Sequence, residues 1–501
     1  MFRKILIANR GEIALRVIRA CREMDIRTVA IYSDADRAAL HVRKADEAYH
    51  VGASPSAESY LRVDRILDIA RQSHAEAIHP GYGFLAENPA FAEACEKAGL
   101  VFIGPSSETM RLCGSKTASR RLAKQVGVPT IPGTEQDLTD EEILKNAPQI
   151  GFPLLIKAAA GGGGKGMRVV RESAELESAI RAARSEGQSS FGDPAVYVEK
   201  YLIRPRHIEM QILADATGHT VYLGERECSL QRRHQKVVEE SPSPFMTPEL
   251  RRQMGEAAVA LARGCGYTNA GTVEFLVDAD RHFYFLEVNA RLQVEHPVTE
   301  LTTGMDLVKS QIRIAAAERL PLRQEEIEPR GHAIECRIYA EDPALNFAPF
   351  PGKIIRYRAP GGPGIRDDSG VYEGFEVPIY YDPLISKLVA WGKDRREAIS
   401  RMRQALQDYL IAGIKTTVSF LVEVMADPRF LEGDVDTTFV DTFLQQGGGG
   451  EPRHRDVAVV AAALRAYFSE QDRQAASPVA SAVAPGSAWT RAARHDAVRR
   501  R

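Results

Sequence analysis

The feature that most restricts the fold is a run of glycines set between two apolar segments. Leu154-Leu-Ile-Lys157 reads as a strand, Ala158-Ala-Ala-Gly161-Gly162-Gly163-Gly164-Lys165-Gly166 follows, and Met167–Val170 reads as a second strand. Consecutive glycines let the backbone approach a ligand and turn several N–H groups onto one anion, and Lys157 and Lys165 add positive charge on either side. A Walker loop requires Gly-Lys followed by Ser or Thr and then a helix; here Gly164-Lys165 is followed by Gly166 and a strand. A dinucleotide-binding loop must also open a helix. A glycine-rich hairpin between strands is a flap that closes over a nucleotide, although the same run also fits a flexible surface loop.

Residues 1–113 alternate strand and helix signals. Lys4–Ala8 and Thr28–Tyr32 are short apolar strands, and between them Ile13, Val17, Ile18 and Cys21 recur at helical spacing. This βαβ rhythm predicts a parallel sheet with helices on its faces. Asn9-Arg-Gly-Glu12 falls at the first strand-to-helix turn, where a helix N-terminus can hold an anion and where a plain tight turn serves equally. Residues 331–446 read as a third unit. Its strands are Ala333–Tyr339, Gly352–Tyr357 and Leu384–Trp391, and Ile399, Met402, Leu406 and Tyr409 mark an amphipathic helix. Gly447–Gly450 is a flexible break. Asp456–Phe468 then reads as an Ala-rich helix, residues 469–488 as a loose Ser, Ala and Pro segment, and Trp489–Arg501 as a basic end that docks a partner or stays solvated.

The formal net charge of −2 over 501 residues gives no electrostatic case for nucleic acid or an anionic membrane. No apolar run approaches the roughly 20 residues a membrane span needs. Met1-Phe-Arg-Lys leads into Ile5–Ala8, too short for a secretory core, so a cytoplasmic location is expected. The six cysteines form no CxxC pair, which argues against a zinc site or a disulfide framework and fits a reducing compartment.

Gly271–Val277 and Phe283–Arg291 read as two strands joined by the polar turn Asp278–His282. Period-two geometry puts Phe283, Phe285, Glu287, Asn289 and Arg291 on one face, with Glu274 facing them from the neighbouring strand. Hard oxygens so placed suit Mg2+ bridging nucleotide phosphates. A solvent-facing strand pair with ordinary charges is the plainer alternative. Gln293-Val294-Glu295-His296-Pro297 adds an acid beside Arg291. Two more polar stretches, Arg206–Gln211 with His207, Glu209 and Gln211 on one face, and Glu225–Lys236, read on their own as solvated edges rather than a site.

Together these residues resemble the ATP-grasp superfamily and, within it, the biotin carboxylases. The resemblance runs from residue 1 to about 446. It rests on Ile7–Arg16, His79–Asn88, the glycine run, Gln231–Lys236 and Glu287–Glu300, long motifs in one order. It implies an α/β and α+β architecture of the ATP-grasp type. An N-terminal Rossmann-like α/β domain would span 1–113, and an ATP-grasp domain 114–330 with a mobile glycine-rich lid at about 131–203. A biotin carboxylase C-terminal domain would span 331–446, followed by a linker and helical, basic tail over 447–501 that is similar to tails of longer acyl-CoA carboxylase subunits.

The implied activity is ATP- and bicarbonate-dependent carboxylation of biotin through carboxyphosphate. By the same resemblance, Lys116 and Lys157 contact nucleotide phosphates and Gly161, Gly162, Gly163, Gly164 and Gly166 cover them. Glu199, Lys200 and Leu202 match the hinge that reads adenine, and His207, Gln231, His234 and Leu276 surround the nucleotide. Glu274, Glu287 and Asn289 match the set that holds Mg2+ (or Mn2+). Lys236, Arg291, Gln293, Val294 and Glu295 form the bicarbonate site, with Glu295 as general base. Arg337 stabilises the biotin enolate, and Tyr82 lies near biotin. Arg16, Arg19, Glu23 and Arg366 match positions of a homodimer interface, although a solvated helix face accounts equally for the first three. One feature stands out against the family pattern: Asp436-Thr-Thr438 occupies a region where relatives often place a larger apolar residue near adenine. Cys228 sits beside the active-site stretch in the family too and reads as structural or oxidation-sensitive.

The sequence holds no Met-Lys-Met biotinylation motif. Biotin is therefore expected on a separate biotin carboxyl carrier protein, and acyl transfer on carboxyltransferase subunits. Acetyl-CoA or propionyl-CoA carboxylase is the expected assembly, with pyruvate or another carboxylase as the alternative, because this half-reaction is blind to the final acceptor. Two other classes compete. A catalytically silent nucleotide-binding scaffold would be free to lose Lys116, Lys236, Glu274, Glu287, Arg291, Glu295 and Arg337, all of which are present. A different ATP-grasp ligase would share the nucleotide fold, since fold alone does not fix function. Arg337 and the Gln293–Pro297 run favour biotin carboxylation over it.

Overall fold

The computed structural model describes residues 1–134, 138–158 and 167–448, together with Leu464. The glycines 161–164 and 166, and the expected tail helix apart from Leu464, lie outside the described residues. Strands β1 (Lys4–Ile7), β2 (Arg27–Ser33), β3 (Glu47–Gly52), β4 (Ala77–His79) and β5 (Val101–Phe102) form a wholly parallel sheet in the order β3-β2-β1-β4-β5. Helix α1 (Gly11–Arg22) follows β1 and buries Ile13, Val17, Ile18 and Cys21, the face its spacing predicts. Ligands of such sheets bind beyond the carboxyl ends of the strands where the order reverses, here between β1 and β4. Asn9 ties those two ends together by donating to the carbonyls of Pro80 and Tyr82, each at 2.7 Å. Arg10 pairs with Asp36 at 2.6 Å.

A second body is built on β6 (Leu154–Ala158), β7 (Met167–Val170) and β8 (Val196–Lys200), an antiparallel sheet with β6 in the middle. Leu154, Ile156, Val170 and Val198 pack against Ile143 and Ile180 from two helices to form a small core of their own.

The largest sheet begins with β9 (Arg206–Ala214), β10 (Thr220–Arg232), β11 (Gln235–Ser241), β12 (Asn269–Val277), β13 (Phe283–Asn289) and β14 (His332–Tyr339). Then come β15 (Glu341–Asp342), β16 (Ala348–Pro349), β17 (Gly352–Lys353), β18 (Arg356–Arg358), β19 (Ile365–Ser369), β20 (Glu376–Val377), β21 (Leu384–Gly392) and β22 (Leu410–Ala412). Eight strands join in the order β13-β12-β9-β10-β11-β14-β21-β19. The segment beyond residue 331 is thus hydrogen-bonded onto the sheet that precedes it, through β11 and β14.

Four expectations are corrected. The strand expected over Gly352–Tyr357 is two, β17 paired with β20 and β18 with β22, because Ile354 between them turns fully into the core. Arg206–Gln211 and Glu225–Lys236 are not solvated edges. They belong to the central strands β9, β10 and β11, where Glu209, Gln211, Glu225, Arg226 and Glu227 are buried and partner one another or nearby groups. The expected face of β13 is split by a bulge: Glu274 pairs with Glu287 but Phe275 with Phe285, leaving Leu286 as an extra residue. An extra residue reverses the alternation. Phe283 and Phe285 therefore turn to the core beside Phe275, while Leu286, Glu287 and Asn289 face a cavity, and the strand ends before Arg291. Finally, Arg16 is not on a solvated face. It is buried between Glu300 and Asp306, each at 2.8 Å, and Glu300 also holds Arg366 at 2.7 Å.

Candidate active site

Bringing charges into a sheet interior is stable only where each is matched. Arg226, with no exposed surface, donates to Glu209, to Gln211 at 2.6 Å, to Gln293 at 2.7 Å, and to Thr272 and Thr299 at 3.0 Å each. It thereby joins β9, β10 and β12 to the loop after β13. Glu209 in turn accepts from Lys236 on β11 at 2.6 Å. The same ammonium reaches Glu274 at 2.9 Å and Glu295 at 2.6 Å.

Burial alone would push these carboxyls up, but Lys236 with Arg337 and Arg226 holds Glu295 below its ordinary range, and Lys236 with His207 does the same for Glu274. Burial works against the Lys236 charge as well. The three carboxylates outweigh it and hold its ammonium well above the ordinary range. Arg337 on β14 completes the group, bonding Glu239 at 2.6 Å and Glu295 at 3.0 Å. Arg291 is oriented by Glu87 at 2.8 Å and by Asn289 Oδ1 at 3.1 Å, and Gln293 donates to Glu274 at 2.6 Å.

A cavity of about 850 Å³ opens in front of this cluster. Glu199, Lys200, Leu202, His207, Gln231, His234 and Leu276 line it, as do Lys157, Lys236, Glu274, Glu287, Asn289, Arg291, Gln293, Val294, Glu295 and Arg337. Lys157 pairs with Glu199 at 2.5 Å, and Arg120 reaches the same carboxylate. Lys116 opens the helix Lys116–Gln125, close enough for its charge to act on Lys157 and Glu287. Lys200 donates to the carbonyls of Gly151 and Phe152 at 3.0 and 2.8 Å. His207 is held between Gln231 at 2.7 Å and Glu274 at 2.9 Å. Thr437 and Thr438 form part of the wall, and Asp436 is tied to Arg204 at 2.6 Å.

A second cavity of about 510 Å³ contains Tyr82, Gly83, Phe84, Tyr380 and Tyr381. Arg291, Val294, Arg337, Tyr339 and Asp382 line both, so they form the partition between the two chambers.

The oxygens fit a divalent cation at one place better than another. His207, Glu209 and Glu274 have ligand atoms within 4.8 Å of one another, but Lys236 already neutralises that group. At Glu287, burial and the neighbouring Glu274 charge push the carboxyl up, which a hard cation shared with Glu274 and Asn289 would offset. Cys228 is fully buried and its thiol is pushed well up by burial, so it is no nucleophile.

Three family models match in sequence. The N-terminal domain of biotin carboxylase matches residues 1–110, the ATP-binding domain of carbamoyl-phosphate synthase L chain residues 115–323, and the C-terminal domain of biotin carboxylase residues 335–442.

The chain belongs to the biotin carboxylase family.

It is an ATP-dependent ligase of the ATP-grasp superfamily. Biotin carboxylases occur within several different enzymes, and its relatives reflect that. A pyruvate carboxylase subunit of Methanothermobacter thermautotrophicus is 57% identical over 444 residues, 88% of this chain and 90% of that one. The propionyl-CoA carboxylase alpha chain of Ruegeria pomeroyi is 49% identical over 489 residues, 93% of this chain and 72% of that one. Among solved structures, the biotin carboxylase domain dimer of Hydrogenobacter thermophilus 2-oxoglutarate carboxylase, in complex with MgADP, ADP and bicarbonate, superposes with a TM-score of 0.84. It is 50% identical and covers 88% of this chain and 98% of that one.

Several residues of this biotin carboxylase site escape a sequence reading. Glu87, Arg226 and Glu239 come from separate strands and loops, and their contacts with Arg291, Gln293 and Arg337 form only in the fold. The available signal is a charge beside apolar strand residues, as in Val237-Val-Glu239, since such a charge must find a partner. Among the described residues no helix is long and apolar enough to cross a membrane.

Proposed function

We propose that this biotin carboxylase charges biotin carried on a separate carrier protein, with ATP in the larger cavity and biotin in the smaller. The observation that carries the reading is the position of Glu295. It lines the larger cavity next to the partition residue Val294, held at once by Lys236 and by Arg337, and Arg337 lines both cavities.

Lys116 and Lys157 would neutralise nucleotide phosphates, and the glycines 161–164 and 166 would cover them. Glu199, Lys200 and Leu202 would bound the adenine side, with His207, Gln231, His234 and Leu276 around the nucleotide. Mg2+ on Glu274, Glu287 and Asn289, when bound, would supply charge neutralisation for the phosphates. Bicarbonate would sit among Arg291, Lys236, Gln293, Val294 and Glu295. Glu295 is ionised at rest, as a base must be, and an anion that draws Lys236 away from it would raise its basicity. Glu295 then takes the bicarbonate proton while a bicarbonate oxygen attacks the γ-phosphorus, giving carboxyphosphate and ADP. Carboxyphosphate breaks into CO2 and phosphate inside the closed site, where water is excluded. Phosphate removes the ureido proton of biotin, Arg337 offsets the enolate charge, and the nitrogen attacks CO2. Tyr82 bounds the biotin side.

The domain assignment follows the same lines. Residues 1–113 would contribute to the smaller cavity, 114–330 would grasp ATP with 131–203 as the lid, and 331–446 would bring Arg337. A homodimer is part of the proposal, as the Hydrogenobacter domain is a dimer: Arg19 and Glu23 would face the partner, with Arg16 and Arg366 holding Glu300 behind them. The carboxyl acceptor is assigned as acetyl-CoA or propionyl-CoA, through separate carrier and carboxyltransferase subunits. The alignment to the propionyl-CoA carboxylase alpha chain, 489 residues long, supports this. Pyruvate is the second reading, favoured by 57% identity to the Methanothermobacter pyruvate carboxylase chain.

Transfer of labelled bicarbonate to free biotin, captured on avidin, tests the half-reaction. Label found in acetyl-CoA or propionyl-CoA after adding the co-purifying subunits supports the first acceptor. Label confined to oxaloacetate when pyruvate is supplied would replace it with the second.

A further inference from the structure

Behind the partition lies a lysine that lines neither cavity. Lys387 interrupts the apolar run of β21 and is 0% exposed. A buried ammonium needs a countercharge and acceptors. Glu12, at the start of α1, stands 3.2 Å away, and the carbonyl of Val294 accepts from Lys387 at 3.0 Å.

The register of the sheet gives this contact its meaning. Lys387 on β21 is the direct cross-strand neighbour of Arg337 on β14. Two adjacent cations therefore reach one loop. Arg337 holds the Glu295 carboxylate at 3.0 Å, and Lys387 holds the carbonyl one residue earlier. His296 Nδ1 lies 2.8 Å from the preceding carbonyl, that of Gln293. The carbonyls of residues 293 and 294 are thus each fixed by a buried side chain. In a trans peptide the N–H points opposite to its carbonyl, and the peptides of this loop are trans. Fixing the Val294 carbonyl therefore fixes the direction of the Glu295 N–H on the other side.

We propose that Lys387 is a positioning residue for bicarbonate: paired with Glu12, it locks the Val294–Glu295 peptide so that Gln293, Val294 and Glu295 meet the anion in one orientation. This rests on the bicarbonate site described above. Lys387 acts through the loop and touches no substrate. A lysine in an apolar strand more than ninety residues away thereby couples the C-terminal segment to the site of bicarbonate activation.

The test is steady-state phosphate release by the full chain, with bicarbonate and ATP varied separately. Lys387→Met is expected to raise KM for bicarbonate by about 10-fold or more, as misplacement of a binding loop does. KM for ATP should stay within about two-fold, which a general loss of structure would not allow. Should Lys387→Met fail to fold, Glu12→Gln/Lys387→Met removes both buried charges together and is read the same way. An unchanged bicarbonate KM in a folded variant overturns the proposal, and so does an equal rise in both KM values. Arg291→Ala is the control on the site itself. If it leaves the bicarbonate KM unchanged, the site reading fails and the positioning role falls with it. If it raises that KM while Lys387→Met does not, only the positioning role fails.

Discussion

The ammonium of Lys236 lies 2.6 Å from Glu295, linking β11 to the loop that follows β13. Because Glu209 and Glu274 hold the same ammonium, Lys236 is shared among three carboxylates rather than committed to one. An entering anion can therefore draw it without leaving any single acid abruptly unpaired. Lys236→Gln removes that charge and is expected to lower bicarbonate-dependent phosphate release by at least about 100-fold, the scale of losing one preorganised electrostatic contact. Activity within a few-fold of the parent would contradict the shared-cation account.

Glu287 faces the cavity only because of the bulge at Leu286. Glu287→Gln keeps the shape and removes the charge. The Mg2+ concentration for half-maximal phosphate release, at fixed ATP, should rise by about 10-fold or more. An unaltered Mg2+ dependence would remove Glu287 from the metal set.

Arg226 donates five hydrogen bonds from a fully buried position. Removing one member of such a network leaves its partners buried and unmatched. Arg226→Met is expected to cost about 3–5 kcal/mol of unfolding free energy, measured by urea titration. A cost below about 1 kcal/mol would mean the cluster tolerates the loss by rearrangement.

Two buried carboxyls carry a pH signature. Burial pushes Glu12 and Glu239 from 4.5 up to about 7, against the opposing pull of Lys387 and Arg337 respectively. A folded-state value above the unfolded one means the folded protein binds the proton more tightly. The resulting stability is fully present below pH 4.5 and is lost as pH rises through about 7. Glu12→Gln/Glu239→Gln cannot titrate there. Relative to the parent, its urea midpoint should improve between about pH 5 and about pH 8. A parent–variant difference that is flat across that range would contradict the assignment.

Much of this was legible in the sequence. The parallel βαβ start and β6 and β7 on either side of the glycines lie where local pattern puts them, because period and apolar spacing act over a few residues. The bulge at Leu286 was not legible, since one inserted residue leaves composition and length unaltered while reversing every face beyond it. Nor was the burial of Glu209 and Arg226. Each reads as polar alone, and their mutual neutralisation depends on strand pairing between β9 and β10. The contact of Lys387 with Glu12 and Val294 joins three distant segments, and the only local trace is a charge in an apolar strand.

The most direct test is phosphate release from ATP by the purified chain with Mg2+, with and without bicarbonate and free biotin, beside Glu295→Ala and Arg337→Ala. Release that requires both bicarbonate and biotin, and that falls by at least about 100-fold in each variant, is the predicted result. Release indifferent to biotin, or preserved in Glu295→Ala, would contradict the placement of proton transfer at Glu295.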